Sequence, residues 1–67
     1  MTEIDVEVQK VLIDDRIKLW RNSVYQAGLD VKVAIVLEDE QMKERAKNEI
    51  TRGVKAIDTL EKILGTL

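Results

Sequence analysis

The chain has 67 residues, a net charge of −2, and neither His nor Cys. That excludes disulfides, the usual zinc sites and the nucleophilic triads built on His or Cys. One domain spanning residues 1–67 is the most this length allows. A single core of this size rarely supplies more than about 3–5 kcal/mol, so association with further copies is the expected route to stability.

The opening residues, Met1-Thr2-Glu3-Ile4-Asp5, are acidic and unlike a secretory leader. Apolar runs are short, and Val33 to Leu37 falls far below the ~20 residues of a membrane span. The lack of Cys suits the cytosol. The expectation is a soluble cytoplasmic protein with no membrane partner.

A first helix can start at Thr2, whose hydroxyl is placed to cap the first turn, with Glu3 and Asp5 well placed for the helix dipole. Ile13, Ile17, Trp20, Val24, Ala27, Val31 and Ala34 follow at spacings of four and three. Such a stripe is one side of a helix lying against another. Val6 extends it by a heptad, and Leu12 and Leu19 widen it towards a bundle face. Gly28 offers a break, with Asp30 as a new cap and three helices in all. The phase passes through Gly28 unbroken, so one helix with a weak point there is favoured, at a cost of about 1 kcal/mol relative to Ala. Asp5 to Val8 and Asp30 to Ile35 also alternate like edge strands. No Asn-Gly or Asp-Gly turn supports a strand hairpin, and helix remains the preferred reading.

The polar stretch 38–41 separates this helix from a second, expected from about Glu40 to Leu64 with Gly65 as its C-cap. Its stripe is Ala46, Ile50, Gly53, Ile57, Leu60, Leu64 and Leu67. Gly53 on that stripe invites the close approach of a backbone or a bulky side chain, and Trp20 is a candidate to fill the space. The fold class is therefore all-α, an antiparallel helical hairpin assembling into a homo-oligomer. With the turn centred near Asp39, Trp20 faces the neighbourhood of Ile57 and Leu60, and Leu67 faces that of Val11. Earlier residues have no partner in the chain, yet they include Ile4, Val6 and Val8. That overhang either folds back as a short helix or docks on another subunit.

Chemistry is sparse. Asp14-Asp15 and Glu38-Asp39-Glu40 are sequence neighbours, and adjacent helical positions diverge by about 100°, so no metal or catalytic pair converges. Ser23 and Thr51 are lone hydroxyls with no base. No Gly-rich phosphate loop occurs. The chain is not expected to be an enzyme or to hold a cofactor. Its overall charge gives no drive towards long nucleic acid. Charge is uneven, however. Residues 1–15 are acidic, whereas 43–55 carry Lys43, Arg45, Lys47, Arg52 and Lys55 against Glu44 and Glu49. Such runs usually pair between helices or subunits, but a basic helix face can also receive a small anion. The ligand-binding candidates are Arg21, Tyr25, Arg45 and Arg52. Guanidinium groups grip phosphate bidentately, and Arg21 with Tyr25 forms an i,i+4 pair on one surface. Trp20 lies on the stripe and is read as packing.

The run Ala46-Lys47-Asn48-Glu49-Ile50-Thr51-Arg52-Gly53-Val54-Lys55-Ala56-Ile57 resembles the last helix of the phage anti-CBASS and anti-Thoeris sponge proteins. In that helix an Ala and a basic residue precede Leu or Ile, then Gly or Ala, then Ala with Leu or Ile. Gly28 matches a glycine of the family's preceding helix. The turn here, Glu38-Asp39-Glu40-Gln41, lacks the family's Pro or Asp–Arg pair. The family's ligand-binding tyrosine and lysine have no assigned counterpart. The resemblance implies a helical homo-oligomer, for instance a hexamer, that sequesters cyclic di- or trinucleotide immune signals between subunits. The alternative is a helical module that docks its apolar overhang on a host protein and inhibits it.

Overall fold

In the computed structural model, which describes residues 5–67, the chain is two helices folded back on each other. Asp5 opens the first: its carboxylate accepts the Glu7 backbone N–H at 3.1 Å. Helix α1 then runs Val6–Leu37 without interruption. The expected start at Thr2 lies outside the described residues, as does Ile4. Gly28 is helical like its neighbours, so neither the third helix nor the strands at 5–8 and 30–35 form. A residue run that keeps its 3.6-residue phase can bury one face continuously, and that outweighs the local cost of one glycine.

The turn is two residues long. Leu37 ends α1, and Glu38 adopts the left-handed conformation at φ 56°. The Asp39 N–H then donates to the Ala34 carbonyl at 2.9 Å, and the Glu38 N–H to that of Ile35 at 3.2 Å. This is a Schellman pattern with Glu where glycine is usual. Asp39 serves both helices, because its carboxylate also accepts the Met42 N–H at 3.0 Å and so caps α2, Glu40–Gly65. Gly65 is not the cap expected of it. It is the last helical residue, with no positive φ, and Thr66 closes the helix. The Thr66 hydroxyl donates to the Ile63 carbonyl at 2.7 Å.

The two stripes meet along an elongated body of 53 × 19 × 14 Å. Ile17, Ala27 and Ala34 of α1 and Ala46 and Gly53 of α2 are buried, with Trp20, Val24, Ile50, Ile57 and Leu60 half-buried around them. Leu67 leaves the stripe and is exposed, so the packed face of α2 ends at Leu64. Closest approach is at Gly53. A methyl group there would collide with a Val24 methyl and come within 3.8 Å of the Trp20 carbonyl oxygen. The neighbour that fills the glycine's space is thus Val24, with the Trp20 backbone beside it. Arg21 reaches Glu61 across the interface at 3.6 Å. These contacts set the register and leave roughly residues 6–12 beyond the end of α2. The overhang does not fold back: Val6, Val8, Val11 and Leu12 continue α1 and stay exposed.

Candidate functional site

The four candidate residues divide between the two flanks of the hairpin. Taking the buried stripe of α2 as zero, Glu61 projects about 60° to one side, while Arg45 and Arg52 project about 100–120° to the other. Arg21 follows Glu61, its ion-pair partner. Tyr25, one turn further along α1, shares that flank and is 70% exposed. Arg45 and Arg52 lie a heptad apart on the opposite flank, about 10 Å apart along the axis. Glu61 is about 24 Å along α2 from Arg45. One chain therefore brings Arg21 to Tyr25, and Arg45 towards Arg52, but it does not bring the two pairs together.

Arg45 sits in a groove of about 410 Å³ beside the turn, lined by Ala27, Asp30, Asp39, Gln41, Met42, Ala46 and Glu49 as well. Three carboxylates face one guanidinium there. Asp39 is engaged as the helix cap, and Glu49 holds Arg52 at 3.0 Å. Within one chain this groove repels an anion more than it attracts one. Arg45 itself makes no ion pair with any described residue. Of the rest of the basic run, Lys43 pairs with Glu40 at 3.2 Å, while Lys47 and Lys55 make no ion pair with any described residue. The hydroxyl of Thr51 is occupied in its own helix, donating to the Lys47 carbonyl at 3.2 Å. Among the described residues, no group of three or more acidic side chains is gathered to hold a metal ion. No helix among them is long and apolar enough to cross a membrane.

A second surface went unremarked in the stripes. On α1 the positions 8, 12, 15, 19, 22, 26, 29, 33 and 36 form another four–three series, about 130–180° from the side that meets α2. It carries Val8, Leu12, Leu19, Leu29, Val33 and Val36, all exposed, Leu19 at 59% and Val36 at 81%. Asp15, Asn22 and Gln26 interrupt it on either side of Leu19. Leu12 and Leu19 also line an apolar groove of about 280 Å³ with Ile13, Asp15 and Arg16. The signal was present in the sequence as Leu12 and Leu19, but reading them as a widened inner face hid the second series.

No protein-family model, curated protein or solved structure matches the chain. The likeness to the sponge proteins rests on residues 46–57 and Gly28 alone.

Proposed function

We propose that this protein is a non-enzymatic helical binding module that works as an assembly of its own copies, with the outer face of α1 as the association surface. The observation that carries this reading is the exposed series Val8, Leu12, Leu19, Leu29, Val33 and Val36 on a helix whose opposite face is already used. Each aliphatic side chain covered fully contributes about 1.5–3 kcal/mol. Even half of that per residue, over several residues and two copies, rivals the core of a chain this short. Sedimentation and native mass spectrometry at micromolar concentration are expected to give an oligomer. Val33→Glu is expected to dissociate it with helix content retained. A folded single subunit at those concentrations would end this reading and favour the host-protein inhibitor, whose apolar face waits for another partner.

A second reading is supported by the split flanks. If copies pack side by side, Arg21 and Tyr25 of one can approach Arg45 and Arg52 of another, a combination that no single chain makes. Such a seam offers guanidinium groups for phosphate and an exposed ring for a base. Together with the resemblance of residues 46–57, this makes cyclic di- or trinucleotides the ligand class to test. Sequestration of such a signal needs no catalysis. A cyclic nucleotide bound at ~100 times its Kd adds about 2.7 kcal/mol to folding stability and so raises Tm. An unchanged Tm across a panel of cyclic di- and trinucleotides would remove the ligand while leaving the assembly in place.

A further inference from the structure

Building on the assembly reading, we infer that the partner on the outer face of α1 is a second α1 running antiparallel, with the two-fold axis beside Asn22. Val8 and Leu12 lie at one end of the outer series and Leu29, Val33 and Val36 towards the other, with Asp15, Leu19, Asn22 and Gln26 between. Antiparallel pairing centred on Asn22 sets Val8 against Val36 of the second copy and Leu12 against Val33, at both ends of the seam, and brings Leu19 to Gln26 and Leu29 to Asp15. The Asn22 side chains meet each other at the axis, where each amide can donate to and accept from its twin. A polar residue at one seam position is a common means of fixing register and partner number.

Apolar pairing alone does not distinguish this from a parallel pair, since Val8 could equally meet Val8. Charge does. Among the residues beside the seam, Arg16 and Asp30 fall opposite one another across an antiparallel pair, twice by symmetry. Neither forms an ion pair with a described residue of its own chain, so both are available. A parallel pair would also set Asp15 against Asp15 within the seam itself, which is unfavourable.

The absence of native Cys makes the test direct, because a single introduced thiol has only another copy to pair with. Under mild oxidation Asn22→Cys is expected to convert most of the protein to a covalent dimer. Val8→Cys alone and Val36→Cys alone are expected to stay largely uncrosslinked, while the two co-expressed give a mixed covalent dimer. Val8→Cys cross-linking to itself as fully as Asn22→Cys would overturn the antiparallel arrangement. So would an intact oligomer in which Asn22→Cys never cross-links. Sedimentation of the unsubstituted chain separates the two levels, since a monomer there sinks the assembly itself. As an independent check, Arg16→Asp is expected to raise the dimer Kd about tenfold, since it replaces two attractive contacts with two like-charge ones. Arg16→Asp with Asp30→Arg is expected to restore it. Failure to restore would overturn the pairing.

Discussion

The two helices of this hairpin are built on different plans. Helix α2 is amphipathic in the ordinary way: small and aliphatic residues face α1, and the far side is charged, with Lys43–Glu40, Arg52–Glu49 and Lys62–Asp58 pairs one turn apart. Only Val54 and Ile63 break that outer surface among the large apolar residues of α2. Helix α1 carries apolar residues on two opposite faces, the outer series interrupted by Asp15, Asn22 and Gln26. A helix apolar on both faces is normally covered on both. In this chain α2 covers one side only. The contrast teaches that α2 turns a charged surface outward while α1 leaves a second apolar face exposed.

This comparison breaks most readily at the inner face. Ile17 is 5% exposed and is the largest buried side chain of the interface. Ile17→Ala is expected to cost about 2–5 kcal/mol by lost burial and residual cavity, close to the whole stability of a small domain. Denaturant unfolding followed by circular dichroism measures it. If copies associate, the apparent loss will also depend on protein concentration, because association stabilises the folded state by mass action. An Ile17→Ala protein as stable as its parent would mean that the inner faces do not hold the hairpin together.

The glycines sharpen the point, because α1 and α2 each carry one in mid-helix. At Gly53 an added methyl group collides with Val24. Overpacking there is expected to cost about 1–3 kcal/mol, only partly offset by the ~1 kcal/mol of helix propensity that Ala gains. At Gly28 nothing lies within 4 Å and φ is ordinary, so Gly28→Ala is expected to stabilise by about 0.5–1 kcal/mol. Opposite signs for the same substitution, read as shifts in urea midpoint, would confirm that Gly53 marks closest approach and Gly28 marks open surface. Two losses would instead mean that Gly28 is covered, and a second copy near the outer face of α1 is then the natural suspect.

Much of the architecture was legible in residue spacing. The inner stripe from Ile13 to Ala34 and its counterpart from Ala46 to Leu64 both face inward as read, because a constant four–three rhythm admits few other geometries. What escaped was decided by backbone geometry. Nothing in Val36-Leu37-Glu38-Asp39 announces a left-handed Glu38, since that position usually takes Gly or Asn. Gly65 looked like a cap, yet the helix simply ran through it. The site was legible only in parts. Arg21 with Tyr25 follows from i,i+4 spacing alone. That Arg45 and Arg52 lie on the other flank also follows from spacing about the α2 stripe, whereas the Arg21–Glu61 contact that ties the first flank to α2 does not.

Glu38 gives a smaller effect of favourable sign. A non-glycine residue held at φ 56° costs about 1 kcal/mol in backbone strain, and both Schellman hydrogen bonds depend on that conformation. Glu38→Gly is expected to raise stability by up to about 1 kcal/mol, the gain reduced by the greater freedom of glycine in the unfolded chain. Thermal melts at fixed concentration measure it. A drop in Tm would show that the Glu38 side chain makes a contribution that the turn geometry does not reveal.

The smallest expected effect is at the ion pair that joins the helices among the described residues. Arg21 and Glu61 stand 3.6 Å apart, with side chains 65% and 53% exposed. Exposed pairs contribute ~0–1 kcal/mol, and salt screens them. Arg21→Gln is therefore expected to change stability by less than about 0.5 kcal/mol, and by still less in 0.5 M salt. That small value is what makes the substitution informative. A large loss in an assembled protein could not come from Glu61 alone. It would mean that Arg21 is buried by a neighbouring copy, where an unpaired or deleted charge matters several times more. Repeating the measurement with Glu61→Gln separates the cases: equal small losses leave the flank facing water, whereas a large loss at Arg21 alone puts that flank at a seam.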